Sequence, residues 1–319
     1  MGTVTRLGIT LGDPAGIGPE IVAAALAAMP AAQRDRVVIY GDRDPLERGA
    51  KAMGVTLPAN LIVNGAGLGA HTVFGKPNET CGAAQVGYLE QAVMAAKSGE
   101  LAGIVTAPIS KTWARRGGFE FLGHTEMLAA RLGATDVAML FAGPKLKVAL
   151  ATVHCPLVEV LEELTTARVR AVIELLVASL VGDFGLPAPR VGVVGLNPHA
   201  GEDGLLGDED GDIIAPAIEA PLPPATLFGP CVPDAAFRDA LDGRYDALVA
   251  MYHDQGLIPV KLVDFEEAVN VTLGLPIVRT SPDHGTAYDI AGTGKARSVS
   301  MKRALALAIE MIDRRSTKR

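Results

Sequence analysis

Short apolar runs alternate with longer runs of helical period, and this alternation constrains the fold more than any other feature of the chain. Most of the short runs are too uniformly apolar to place a face against water, which is typical of parallel strands covered by helices on both faces. We predict strands at Leu7–Leu11, Arg36–Tyr40, Gly103–Thr106, Val137–Phe141, Lys147–Val153, Arg190–Leu196, Ala247–Met251 and Val269–Leu273. Helices are predicted at Ile17–Met29, Ala83–Lys97, Thr166–Val181 and Val299–Arg314. The pattern indicates an α/β/α fold with parallel strands.

Ala215–Pro233, with six prolines, is predicted to be an irregular loop.

Length, charge and cysteine usage exclude several classes of protein. At 319 residues the chain exceeds the usual size of one hydrophobic core, so two lobes are expected. A net charge of −7 argues against nucleic-acid binding, which needs an excess of positive charge. The three cysteines are widely spaced and form no CxxC pair, which is typical of reduced thiols. Neither a leader-like N-terminus nor an apolar run of about 18 residues is present, so we expect a cytoplasmic protein without membrane contact.

Three histidines each come just after a predicted buried strand. They are His154 after KVALATV, His199 after VGVVGLNP and His253 after ALVAMY. Because the carboxyl ends of parallel strands share one edge of a sheet, three chain segments could deliver imidazoles to one point. Three nitrogens with one open position are typical of a catalytic divalent metal, with zinc the first candidate. Three unrelated loop histidines are the alternative interpretation of the same spacing.

Other polar segments follow the later strands. Asn197–Gly204 is polar and glycine-bearing, as expected of a loop that lines a ligand cleft. Lys261, Asn270 and Arg279 are spaced so that each could close a different strand, and the two cations could clamp a phosphate or carboxylate. Simple solvation of a surface Lys or Arg is the alternative.

Two glycine-rich segments, Leu11–Glu20 and Asp283–Gly294, would permit a ligand to approach the backbone closely. The chain has no GxGxxG motif after its first strand, so a Rossmann dinucleotide site is not supported.

An ordered series of motifs, from Gly12 to Gly294, resembles the 4-hydroxythreonine-4-phosphate dehydrogenase family within the isocitrate and isopropylmalate dehydrogenase-like superfamily. The motifs are GDPAGIGPE, TAPISK, GHTEML, HCPL, GLNPHAGE, YHDQGLIPVK and TSPDHGTAYDIAGTG. The resemblance implies two α/β/α lobes of the isopropylmalate dehydrogenase type with the active-site cleft between them. We expect one lobe to comprise residues 1–130 and 270–319 and the other residues 131–269. It also implies a homodimer with the active site near the subunit interface.

The resemblance assigns roles to particular residues. It implies that His154, His199 and His253 bind the metal. Substrate contacts are implied for His124, Thr125, Lys261, Asn270 and Arg279, with Lys111 as a further candidate. Asp234 is implied to lie near the metal, and either Asp234 or Lys261 is a candidate for the base that takes the hydroxyl proton. Cofactor contacts are expected from Gly12, Gly16, Asn197, His284, Gly285, Asp289 and Ile290.

The activity implied by the resemblance is oxidation of 4-phosphohydroxy-L-threonine at C3, followed by decarboxylation to 3-amino-2-oxopropyl phosphate, in pyridoxal phosphate (vitamin B6) biosynthesis. NAD is the expected cofactor, preferred over NADP, together with one divalent ion: Zn²⁺, or else Mg²⁺, Co²⁺, Mn²⁺ or Ni²⁺. One alternative keeps the chemistry but changes the substrate to a four-carbon acid sugar phosphate, such as D-threonate or D-erythronate 4-phosphate, or to a cis-dihydrodiol. An alternative of another class is a metal-dependent hydrolase, against which the adenosine-type loop Asp283–Gly294 argues.

Overall fold

The computed structural model describes residues 5–67 and 72–317 and divides into two compact units. Unit 1 comprises Met1–Thr135 and Leu275–Arg319, and unit 2 comprises Asp136–Gly274. Both boundaries lie five residues beyond those drawn from the sequence. No helix within the described ranges is long and apolar enough to cross a membrane.

The strands are short and are numbered along the chain. They are β1 Leu7–Thr10, β2 Val37–Tyr40, β3 Ile62–Asn64, β4 Gly103–Thr106, β5 Ala138–Ala142, β6 Lys147–Leu150, β7 Arg190–Val194, β8 Thr226–Cys231, β9 Ala247–Ala250, β10 Val269–Leu273 and β11 Val278–Pro282.

The helices alternate with these strands. They are α1 Gly18–Ala28, α2 Ala31–Arg34, α3 Arg43–Ala52, α4 Glu79–Lys97, α5 Lys111–Arg116, α6 His124–Leu132, α7 Val160–Glu163, α8 Thr166–Gly182, α9 Ala215–Glu219, α10 Pro233–Leu241, α11 His253–Asp264 and α12 Val299–Thr317. The described helical structure also includes 3₁₀ turns at Leu157–Glu159 and Pro198–Gly204, the second with positive φ from His199 to Asp203, and a π-helical turn at Asp210–Ile214. The prediction of an α/β fold is confirmed.

The strands of unit 1 follow the order β3-β2-β1-β4-β11, and all four neighbouring pairs are parallel. The carboxyl ends of β1, β4 and β11 therefore lie side by side at one edge. Two of these strands were missed in the sequence. β3 is only three residues long and mostly exposed, and β11 is fully buried although its sequence, VRTSP, is largely polar, so neither presents a long buried apolar run.

The strands of unit 2 follow the order β10-β5-β6-β9-β7-β8. The pairs from β6 to β8 are parallel, but β5 runs antiparallel to both β10 and β6, so the prediction of uniformly parallel strands is wrong there. Only four residues join β5 to β6, and Gly143 N donates to Leu146 O at 2.8 Å. A parallel connection needs a dozen residues or more, so a link this short must form a hairpin.

The prediction of an irregular loop at Ala215–Pro233 is also wrong, because the segment contains helix α9 and strand β8. Pro216 lies in the first turn of α9, where the missing N–H has no intrahelical partner to lose. Pro230 lies in β8, the last strand in the order of unit 2, and an edge strand tolerates proline.

The core of unit 2 is built around the hairpin and its parallel neighbour. Strands β5, β6 and β9 contribute Phe141, Val148 and Leu248, against which α11 packs Leu257 and Val260. This packing fixes where α11 begins, and its first residue is His253.

We predict that Asp264→Ala destabilises unit 2 by roughly 2–4 kcal/mol. The Asp264 side chain is buried and accepts hydrogen bonds from Lys145 N at 3.1 Å and Leu146 N at 2.9 Å, so its loss leaves two enclosed amides of the hairpin without acceptors. Urea unfolding measures the change. Asp242→Ala is the matched control, since Asp242 is 71% exposed and 3.8 Å from Arg238, and it should change stability by less than about 0.5 kcal/mol. Equal losses in the two variants would contradict the structural role given to Asp264.

Candidate active site

The three predicted metal ligands follow three neighbouring parallel strands of unit 2. His154 comes four residues after β6, His253 three residues after β9 and His199 five residues after β7. These strands are adjacent in the order β6-β9-β7, and both pairs are parallel. The three histidines therefore follow neighbouring parallel strands, as the sequence predicted.

The structure brings two of the three imidazoles together. His154 and His253 line one cavity of about 250 Å³, with 6.0 Å between their ring centroids. His253 Nδ1 lies 2.7 Å from Asp254 Oδ1, a contact that orients the ring and leaves Nε2 as the nitrogen that could bind an ion. The two rings supply nitrogen donors of the kind that a divalent ion takes.

His199 is placed differently. It is exposed, does not line the cavity of His154 and His253, and begins a run with positive φ that extends through Asp203. Four of the five residues in this run are not glycine, and each costs roughly 1–2 kcal/mol in a left-handed conformation. Within the described part of the chain, no three His, Cys, Asp or Glu side chains converge as a metal site.

Side chains that the sequence argument missed tie the three strand ends together. Thr152 Oγ1 donates to Met251 O at 2.8 Å, which links the segments after β6 and β9. Gln255 accepts from Met251 N and donates to Gly195 O, both at 2.7 Å, which links β9 to β7. Buried Asp210 accepts from the amides of Leu196 and Asn197, just before His199. Gln255 and Asp210 lie in helical segments and give no periodic signal in the sequence, so only the tertiary structure shows these hydrogen bonds.

The other predicted residues of unit 2 lie on several elements. Asp234 is exposed in the first turn of α10, which follows β8. Asn197 donates from its side chain to Glu209 Oε2 at 2.7 Å. Lys261 is exposed within α11, and Asn270 is the second residue of β10, with an enclosed Oδ1 that has no hydrogen-bond partner in the described residues.

The prediction that Lys261, Asn270 and Arg279 each close a strand is wrong. Lys261 is helical, and Asn270 and Arg279 are each the second residue of their strands. The Arg279 side chain nevertheless reaches a strand end, because its guanidinium donates to Thr106 Oγ1 at 2.7 Å and Thr106 is the last residue of β4. Arg279 is only 3% exposed, and this burial lowers its pKa to about 10, so it remains a cation at neutral pH.

His124 lies beside this buried cation, at the first position of α6. Burial, followed by the positive charges of Arg279 and Lys111, holds the pKa of His124 well below its ordinary value of 6.5. Its Nε2 is enclosed and has no hydrogen-bond partner among the described residues, and Thr125 is buried next to it. A neutral imidazole and two cations at one place are suited to binding an anion with hydrogen bonds and charge.

The predicted nucleotide loop, Asp283–Gly294, follows β11 in unit 1. Gly285 and Asp289 are exposed, a Cβ at Gly285 would meet no atom within 4 Å, and His284 is half-buried with an enclosed Nε2 that no described residue engages. Ile290 is half-buried.

Gly12 and Gly16, in the turn after β1, pack closely against other backbone segments of the protein. A Cβ at Gly12, where φ is +65°, would lie 2.2 Å from Pro108 O, and one at Gly16 would lie 2.9 Å from Thr286 O. These contacts explain both glycines without a ligand.

Comparison with known proteins shows the family of this chain. A family model described as "Pyridoxal phosphate biosynthetic protein PdxA" matches residues 33–308. The chain belongs to the PdxA family. A 4-hydroxythreonine-4-phosphate dehydrogenase of Desulfosudis oleivorans is 44% identical over 95% of this chain and 95% of the relative. The resemblance inferred from the motifs is confirmed.

Solved structures extend the comparison to the fold. A 4-hydroxythreonine-4-phosphate dehydrogenase from Klebsiella pneumoniae superposes with a TM-score of 0.84 at 39% identity, covering 98% of this chain and 99% of that one. A terephthalate 1,2-cis-dihydrodiol dehydrogenase from Burkholderia xenovorans superposes with a TM-score of 0.67 at 32% identity, covering 96% and 98%.

PdxA-family membership makes the chain an oxidoreductase of pyridoxal phosphate biosynthesis. A dehydrogenase of this family implies NAD and a divalent metal ion. The donor set of His154 and His253 fits such an ion, and the enclosed, unengaged Nε2 of His284 beside the open backbone at Gly285 fits a polar ligand on the loop.

We predict that His124 stays neutral at pH values where an ordinary histidine is protonated. As pH falls, His124 is protonated in the unfolded chain before it is protonated in the folded protein. The contribution of the neutral imidazole to stability is therefore complete above pH 6.5 and is lost as pH falls below 6.5. The free energy of unfolding of the wild type should therefore decline more steeply between pH 6.5 and 5.5 than that of His124→Gln, by up to about 1.4 kcal/mol per pH unit. NMR titration of the imidazole gives the pKa directly, and equal slopes in both proteins would refute the assignment.

Proposed function

We propose that this chain catalyses NAD-dependent oxidation of 4-phosphohydroxy-L-threonine at C3, followed by decarboxylation to 3-amino-2-oxopropyl phosphate. The observation that carries the proposal is the buried Arg279 guanidinium beside His124 and Lys111. A buried guanidinium close to a second cation suits a bound phosphate, whose oxygens would accept hydrogen bonds from it in addition to the contact with Thr106 and the opposite charge of Glu126. In the proposal His124, Thr125, Asn270, Lys261 and Arg279 bind substrate.

The residues of this chain have defined tasks in the reaction. The base, Asp234 or Lys261, takes the proton of the C3 hydroxyl, and the hydride on C3 leaves with its electron pair. The product is a β-keto acid, which loses its carboxylate as carbon dioxide while the electron pair of the broken bond moves toward the new carbonyl. The resulting enolate takes up one proton at C2 to give the amino ketone. When bound, NAD supplies the hydride acceptor and a divalent ion supplies positive charge next to the reacting oxygen. Imidazole nitrogens as the donors, from His154, His199 and His253, favour zinc among the divalent ions.

Cofactor preference is assigned to Asp289. This carboxylate is exposed on the loop Asp283–Gly294, where it can accept hydrogen bonds from the ribose hydroxyls of the adenosine. The same charge would repel the 2′-phosphate of NADP, so NAD is the preferred cofactor. His284, Gly285 and Ile290 complete the proposed cofactor contacts of the loop, with Asn197 from unit 2; Gly12 and Gly16 act through packing.

A homodimer is part of the proposal. Ile258, Leu262 and Phe265 recur at helical spacing along α11 and at its end, and they are 59%, 80% and 68% exposed. Leu157 is 71% exposed and lines the cavity of His154 and His253. Exposed apolar side chains of this kind are typical of a protein interface, and one of them, Leu157, borders the proposed metal ligands.

The alternative substrates differ in how well they match the buried cation. A cis-dihydrodiol is supported by the 32% identical relative that is named for one, but it carries no phosphate for Arg279. A four-carbon acid sugar phosphate satisfies Arg279 equally and differs only at C2. A metal-dependent hydrolase is opposed by membership in a family of dehydrogenases.

The proposed activity is tested by NADH absorbance with purified protein, NAD and 4-phosphohydroxy-L-threonine. We expect NADH to form, to stop after treatment with a chelator and to return when a divalent ion is added, because the imidazole site needs its ion for the chemistry. Turnover of a cis-dihydrodiol in place of the phosphorylated substrate, or full activity in metal-free protein, would contradict the proposal.

We predict that Arg279→Ala weakens binding of the phosphorylated substrate by roughly 1.5–3 kcal/mol, the range for a lost hydrogen bond to a charged group. The loss of binding free energy should be much smaller for the dephosphorylated analogue. The matched control is Arg190→Ala, which removes a half-exposed arginine that pairs with Asp246 in unit 2 and should leave substrate binding unchanged. Equal losses for the two ligands would show that Arg279 does not bind the phosphate.

A further inference from the structure

Glu20 joins the first turn of the chain to the end of the nucleotide loop. It lies in the first turn of α1 and is 0% exposed. Its Oε2 accepts from Gly292 N at 2.7 Å, and its Oε1 accepts from Gly294 N at 2.9 Å. One carboxylate therefore holds two amides of the loop, with both oxygens engaged.

Asp13 holds the middle of the same loop. It is also 0% exposed, and its Oδ2 accepts from the Tyr288 hydroxyl at 2.6 Å while its Oδ1 accepts from Ala15 N at 2.9 Å. Burial raises the pKa of Asp13, and the hydrogen bonds from Tyr288 and Ala15 act against that rise. Tyr288 stands immediately before Asp289, so this contact sets the backbone at the proposed ribose-binding carboxylate.

A third contact is made by the backbone. Ile17 N donates to Thr286 O at 2.9 Å, and Gly16 packs so closely on Thr286 that a Cβ would have no room. The loop is thus fixed at Thr286, at Tyr288 and at Gly292 to Gly294 by residues of one turn.

The two carboxylates make this attachment stronger than backbone packing alone. A buried carboxylate is costly unless it accepts hydrogen bonds, and here most of the donors belong to the loop. Moving the loop away would strip donors from two buried carboxylates, so the loop conformation and the solvation of these groups are coupled.

We propose that Asp13 and Glu20 are positioning residues for the dinucleotide, and that the turn Gly12–Glu20 acts on the cofactor only through the loop Asp283–Gly294. The inference rests on the proposed function, which places the adenosine on that loop. In this proposal the turn does not contact the dinucleotide. It holds the loop that does.

Two variants test the inference in the full-length protein. Glu20→Gln keeps the side-chain shape but offers one acceptor oxygen to two amides, and Tyr288→Phe removes only the hydroxyl that donates to Asp13. The matched control is Tyr88→Phe, because the Tyr88 hydroxyl donates to Asp42 Oδ2 at the same 2.6 Å and Tyr88 is likewise in unit 1. NADH binding is measured by fluorescence titration, and kcat and KM are measured for NAD and for substrate.

We expect Glu20→Gln and Tyr288→Phe each to raise the NADH dissociation constant and the KM for NAD by about tenfold or more, as for lost charged hydrogen bonds. The kcat at saturating NAD and the KM for substrate should change less than about twofold, because the loop positions the cofactor without taking part in proton transfer. Tyr88→Phe should bind NADH as the wild type does.

The outcomes separate this inference from the proposed function. Wild-type protein that does not bind NADH would overturn the proposed function and the inference with it. Wild-type binding together with unchanged binding in both variants would overturn the inference alone. Equal weakening in Tyr88→Phe, or a loss confined to kcat, would also overturn it, because the effect would then not be specific to the loop.

Discussion

Parallel pairing of neighbouring strands is the constraint on which the placement of the three histidines and of the glycine-rich segments depends. In unit 1 the carboxyl ends of β1, β4 and β11 lie side by side, and the segments that follow them carry Asp13, Lys111 and His284. In unit 2 the same relation holds for β6, β9 and β7 and the three histidines. Residues far apart in sequence are collected at an edge because parallel strands leave no other place for their loops.

The two units collect different chemistry at these edges. Unit 1 gathers positive charge around the enclosed Arg279 and keeps His124 neutral, which suits recognition of an anion. Unit 2 places the imidazoles of His154 and His253 around one cavity, on strand ends that are tied by Thr152 and Gln255, while His199 lies outside that cavity. The cost of burying carboxylates and a guanidinium is met by hydrogen bonds inside unit 1, such as those of Glu20 to the nucleotide loop.

Sequence reasoning succeeds where a local pattern determines the structure. Uniform apolar runs identify most of the parallel strands, and the motif series identifies the family. Sequence reasoning fails at β11, whose buried residues are largely polar. It also fails at β5, because the direction of β5 depends on the short link to β6, and the apolar pattern does not record the length of that link. The ties of Gln255 and Glu20 connect residues distant in sequence, and nothing local predicts them. The left-handed run from His199 is equally hidden, since four of its residues are not glycine.

In the proposed reaction, oxidation occurs at the carbon β to the carboxylate, so that loss of carbon dioxide must follow hydride transfer. This order is tested most directly by measuring NADH and carbon dioxide released in the same reaction with 4-phosphohydroxy-L-threonine labelled at its carboxylate carbon. We predict one carbon dioxide for each NADH, together with 3-amino-2-oxopropyl phosphate. NADH formed with the labelled carboxylate retained in the product would contradict it.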